Sequence, residues 1–179
     1  MKRLLVLALS LTFVVGCTST PKVTGNSVES TKQPDWVTKG KKSSTLKYVV
    51  VNGKMSNFSN SKKRAEADAR DQIALWVSTS VTVTLKNYTQ DAGVGGETQA
   101  IEFMENVSQQ TSKVALRGVE IEDFWSAPDG TIFVLASIPI ANVEKALEEN
   151  VAASEFARKA EAAFAEFKAK EAFRAAGIE

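Results

Sequence analysis

The stretch "LRGVEIEDFWSAPDGTIFVLASIPI", Leu116 to Ile140, constrains the fold of this chain more than any other. "LRGVEIEDFW" alternates apolar and polar residues, the two-residue period of a strand with one buried face. "TIFVLASIPI" is rich in β-branched and aromatic residues and reads as a strand throughout. Pro128-Asp129-Gly130 lies between them, where proline pre-sets the turn, aspartate bonds its own backbone and glycine tolerates the left-handed conformation. An antiparallel hairpin over these residues is therefore expected.

Upstream, "TLKYVVV", Thr45 to Val51, predicts a second buried strand, ended or turned at Asn52-Gly53. "SNSKKRAEADARDQIALWV" predicts a helix, capped by Ser59 or Ser61, with Ala65, Ala69, Ile73 and Trp76 on one face. "SVTVTLKNY", Ser80 to Tyr88, alternates and reads as a strand, with a helical continuation through Val81, Leu85 and Tyr88 as the rival. "QDAGVGGE", Gln90 to Glu97, reads as a loop. Ile101, Met104, Val107, Thr111 and Val114 recur at helical spacing and predict a helix over 98–115.

From Ala141 the chain is helical in pattern to near its end. Its apolar stripe changes side: Val143, Leu147 and Val151 form one row, and Phe156, Ala160, Ala163, Phe164 and Phe167 another. At about 100° per residue these rows face opposite directions. Either the helix breaks between Asn150 and Ser154 or it packs first on its own domain and then on something else. A second helix folding back, a subunit interface over Phe156, Ala160, Phe164 and Phe167, and a frayed tail are the three readings.

The start of the chain has a different logic. Lys2 and Arg3 precede an apolar run, Leu4 to Val15, that is too short to span a bilayer and of the length of a signal-peptide core. Val14-Val15-Gly16-Cys17 follows and resembles the bacterial lipobox. That resemblance implies cleavage after Gly16, thioether lipidation of Cys17 and acylation of the new amino terminus, with palmitate as one such acyl chain. Several buried acyl chains, at about 0.8 kcal/mol per methylene, anchor a protein stably. Val14 departs mildly from the more common leucine. Thr18 after the cysteine resembles the pattern exported to the outer membrane. The chain then divides into a signal peptide (1–16), a lipidated flexible tether (17–33), a folded domain (34–140) and a C-terminal helical extension (141–179). The tether is mostly Ser, Thr, Gly and Lys, too polar to order itself, and reaches roughly 20–25 Å.

The sequence holds no histidine and one cysteine. Histidine-based triads, histidine general bases and most zinc sites are thereby excluded, and a lipidated Cys17 leaves no thiol nucleophile. No catalytic residue, metal site or cofactor is expected. Lys+Arg 22 against Asp+Glu 21 argues against nucleic acid as a partner. "GVGG", Gly93 to Gly96, and "GKKS", Gly40 to Ser43, lack the rest of a phosphate loop. Glu120, Glu122 and Asp123 gather acids near a strand end, a solvated face before a divalent-ion site. Lys62, Lys63 and Arg64 oppose the macrodipole in the first turn of the first long helix, and form a candidate contact for anionic envelope components beside the plainer reading of a solvated face.

The lipobox, "PDWV" at Pro34, "AEADARDQIALWV", "LRGVEIEDFW" and "TIFVLASIPI" together resemble, in order over residues 34–140, the Lpp-twenty lipoproteins, a family that includes the flagellar lipoprotein FlgP. Val51-Asn52-Gly53-Lys54 departs from the glycine-rich turn usual there. The resemblance implies an α+β fold, with helices packed on one face of a small antiparallel sheet and here a long C-terminal helix. It implies no enzyme activity. In the flagellar branch it implies oligomeric structures at the outer membrane. With the anchor, the tether, the absent catalytic residues and the two-faced C-terminal helix, the expectation is a self-associating envelope component, lipid-anchored to the outer membrane with its domain in the periplasm. Its partners would be further copies and envelope or flagellar proteins. An envelope ligand-binding module for glycan or lipid, or a surface antigen or adhesin, is the alternative.

Overall fold

The computed structural model describes residues 32–91, 93, 98–160 and 167–178. Along the chain run α1 (Asp35–Lys39), β1 (Leu46–Gly53), α2 (Phe58–Asp91), α3 (Thr98–Ala115), β2 (Glu120–Ser126), β3 (Ile132–Pro139), α4 (Ile140–Ala153), α5 (Glu155–Lys159) and α6 (Ala169–Ala175). The strands form one antiparallel sheet in the order β1-β3-β2. This is the α+β class expected, and the hairpin stands where the sequence puts it. Its turn is closed by the Gly130 N–H donating to Ala127 O and the Ala127 N–H donating to Thr131 O. Gly130 takes a φ of 84°, a conformation that glycine adopts without a Cβ clash. β2 begins later than expected, because Leu116 to Gly118 form a 3-10 turn off the end of α3.

The sheet buries both faces of its central strand. Ile132, Val134, Ala136 and Ile138 join the main core under the helices. On the other face the buried Trp36 of α1 covers part of the sheet where Leu135 is also buried, and its Nε1–H donates to Asp123 Oδ2 at 3.0 Å. Pro139 lies opposite Leu46 beyond the end of β2, so its missing N–H costs no ladder bond.

The expectation of a strand over Ser80–Tyr88 is corrected: these residues continue α2. Ala65, Ala69, Ile73, Val77, Val81 and Leu85 form an unbroken row at spacing four, every one fully buried. Val83, the residue that made the segment look alternating, is exposed. A row at spacing four advances about 40° around the helix at each step. Over this length it turns a little more than half way round, so α2 meets the sheet with its first half and α3 and α6 with its second. The cap is also corrected. Asn57 Oδ1 accepts from the Asn60 N–H at 2.9 Å, whereas Ser61 is buried, its hydroxyl donating to Asn57 O and accepting from the Met55 N–H.

α3 turns a different face inward than the spacing suggested. Val107 and Thr111 are buried as expected, but Ile101 and Val114 are exposed, and Ala100, Phe103, Ser108, Ser112 and Ala115 point in. Small residues let α3 lie close to α2. Ser108 Oγ donates to Ser78 O at 2.9 Å and accepts from Thr82 Oγ1 at 3.2 Å, so the seam between the two helices is partly polar.

The longest helix is α2, and the C-terminal helix is interrupted. It breaks at Ser154, whose backbone is extended, which is the break placed between Asn150 and Ser154. The last piece folds back. Ala169 and Phe173 of α6 are buried against α2 and α4, and the Ala169 N–H donates to Glu148 Oε1 at 3.1 Å.

Candidate functional site

Cys17 and Gly16, which carry the lipidation and cleavage expectation, lie outside the described residues, as does Phe164. The described residues contain no helix long and apolar enough to cross a membrane.

The basic cluster sits where α2 begins, beside the β2 edge. It is built less as a free cationic patch than its sequence suggests. Lys62 Nζ stands 4.2 Å from the centre of the Phe124 ring and 3.7 Å from Glu66 Oε1. Arg64 pairs with Asp68 at 3.0 Å. Lys63 is exposed. Phe58 meets Phe124 edge-on with ring centres 6.1 Å apart, and both are exposed, so an apolar patch adjoins the cations. Lys54 reaches the hairpin turn and pairs with Asp129 at 2.9 Å.

The described aromatic residues of the C-terminal row, Phe156 and Phe167, each pack on another ring. Phe156 stacks on Phe103, ring centres 4.9 Å apart, and Phe167 meets Tyr88 edge-on at 4.8 Å. Ala160 is half-buried at the end of α5. The break at Ser154 rotates α5 onto α3, which is why opposite faces of a straight helix come to serve one core.

The acids near β2 are likewise divided. Glu122 is the extra residue of a β-bulge between Ile121 and Asp123, and it accepts a hydrogen bond from Ser137 Oγ. Asp123 accepts from Trp36. Among the described residues, no three His, Cys, Asp or Glu side chains gather to hold a metal ion.

Among the described residues two carboxyl groups have clearly displaced pKa values, and both are held down rather than raised. At Asp129 the Lys54 ammonium, the Thr131 backbone N–H and the Thr131 hydroxyl all favour the ionised form, and the pKa falls to about 2. Glu155 is lowered by Lys159, 2.9 Å away. A general acid working at neutral pH needs a carboxyl pushed in the other direction.

An open cleft of about 520 Å³ runs between α3 and the corner joining α4 to α5. Gln99, Glu102, Asn106, Gln110, Asn150 and Lys159 are among its polar lining residues, and Phe103 and Phe156 also line it. Sequence reasoning missed it because it depends on the break at Ser154 and on which face α3 turns inward.

A family model described as LPP20 lipoprotein matches residues 34–139. No curated protein and no solved structure matches the chain.

Proposed function

The chain belongs to the LPP20 lipoprotein family, and from that premise we propose that it is a non-enzymatic, self-associating structural component of the cell envelope. Its lipid on Cys17 anchors it to the outer membrane, with the folded domain standing off on the tether. The observation that carries this reading is the surface of the domain. Leu75, Ile101, Met55 and Phe58 each expose more than half of their surface. Phe58 adjoins Phe124, and among the described residues no strand pairs with the outer edge of β1. Apolar groups and strand edges left open on a small domain are the features that assembly covers. A role beside the flagellar motor is the finer form of this proposal.

Two measurements test it. Sedimentation of the mature chain with Cys17→Ser should show concentration-dependent association, and a strictly monomeric species up to high concentration would overturn it. A deletion strain should lose envelope integrity, swimming or both, and normal behaviour in each would refute a structural role.

A further inference from the structure

The two edges of the sheet are not alike. β2 carries the bulge at Glu122 and is followed by Pro128, features that blunt an edge against pairing. β1 runs without a bulge or a proline through eight residues in continuous register with β3. Ladder parity tells which of its backbone groups are free. The Ile140 N–H donates to Thr45 O at 2.9 Å, so residues 47, 49 and 51 bond inward to β3. The N–H and C=O groups of Tyr48, Val50 and Asn52 therefore point outward, where among the described residues β1 has no neighbouring strand.

We propose that β1 of one copy pairs antiparallel with β1 of a second, about a two-fold axis through Val49, making one continuous six-stranded sheet. This rests on the self-association reading and says where it happens. Three observations select that occupant and that register. First, placing Val49 on the axis sets Tyr48 opposite the partner's Val50, so that outward groups on the two strands exchange about four hydrogen bonds. Second, the same register sets Lys47 opposite the second copy's Val51. Val51 shares a groove with Asp68 and Asp71 of α2. Asp71 makes no ion pair among the described residues, and Lys47 rests only on the Trp76 ring, 5.3 Å from its centre. Pairing thus brings an ammonium group to a carboxylate twice over. Sliding the partner by two residues moves Lys47 beside Val49 or Gly53 instead.

Third, the helices fit. α2 runs antiparallel to β1, with Ala65 over Gly53 and Trp76 over Lys47, and it lies over β1 and β3 together. With strands about 4.8 Å apart, the two α2 helices then stand about 10 Å apart, a normal helix-packing distance. Leu75, 68% exposed, lies one turn from Asp71.

The test uses the full lipidated chain in its own membrane, where Cys17 is alkylated and Val49→Cys supplies the only free thiol. Residues on the axis form a non-hydrogen-bonded pair with Cα atoms about 4.5 Å apart, within reach of a disulfide. Mild oxidation should give a species of twice the chain mass, absent from the unsubstituted chain. Val50→Pro removes an outward donor without touching the ladder to β3, and should weaken pairing at least tenfold, about what one or two lost hydrogen bonds give. Lys47→Glu should also reduce the cross-link, and Lys47→Glu with Asp71→Lys should restore it, which a misfolded variant would not do. If the chain associates yet Val49→Cys does not cross-link and charge exchange does nothing, the β1 interface is wrong and self-association stands. A monomer throughout sinks both. A cross-linked species of any other mass assigns the edge to a foreign strand and overturns the proposal.

Discussion

Gly53→Ala tests how closely the sheet and α2 are fitted. A Cβ on Gly53 would lie 2.6 Å from Ser61 O and 2.8 Å from Ala65 N. Both are backbone atoms of the first turns of α2, so neither can rotate away, and the helix must shift. Overpacking of this kind costs roughly 1–3 kcal/mol, and the upper half applies where backbone blocks the methyl group. Alanine also restricts the unfolded chain, which returns about 0.4–1 kcal/mol. The net loss is about 2 kcal/mol, or a fall in melting temperature of about 4–8 °C for a domain of this size. In urea the midpoint should drop by about 1 M with an unchanged slope. Gly118→Ala is the matched control. A Cβ there meets only the Asn142 side-chain amide, at 2.7 Å, and Asn142 is exposed and free to turn. Its effect should stay within about 0.5 kcal/mol. If the two variants melt together, or Gly53→Ala melts higher than the parent, the close approach of α2 to β1 is not what makes residue 53 a glycine.

Two further outcomes follow from the same structure. Thr84 is buried, and among the described residues its Oγ1 has no hydrogen-bond partner, so Thr84→Val should raise stability by up to about 1 kcal/mol; a loss of that size in thermal melting would mean that the hydroxyl is satisfied. Asp129 is held ionised by Lys54 and Thr131, so its contribution to the hairpin is present above the ordinary carboxyl range and is lost as pH falls from about 4 through about 2. A carboxyl NMR titration should find its midpoint near 2, moving up toward 3.8 in Lys54→Met, and an unchanged midpoint would remove Lys54 as the main cause.

What the sequence made legible was set by local chemistry. The hairpin could be read because turn residues and strand propensity agree over the same residues. β1 was legible for the same reason. The second half of α2 was not, because Val81, Val83 and Leu85 satisfy a period of two and the pair Val81–Leu85 satisfies a helical period as well. Only the row extended back to Ala65 decides between them, and that row includes alanines that carry little hydropathic signal. The inward face of α3 was hidden for a related reason: serines and threonines pack there, and a search for apolar spacing passes over them. The candidate basic cluster was legible as residues but not as a site. Lys62 and Arg64 turn to Phe124, Glu66 and Asp68, and two of those three partners lie one helical turn away, where i, i+4 pairing takes up charge.

The asymmetry of the sheet matters more once the chain is considered on its anchor. A strand edge offers few hydrogen bonds and little buried area, and in free solution such a contact is weak. Lipid-anchored chains share one surface, which keeps their domains within a thin layer above it. Confinement of that kind acts as a high effective concentration, so a contact that joins soluble domains only at high concentration joins anchored ones at ordinary abundance. The same argument explains why only one edge can be left flat. With β2 bulged at Glu122 and Trp36 bonded to Asp123 beside it, pairing through β1 closes on itself as a dimer. Two flat edges on a crowded surface would instead propagate into an open-ended sheet.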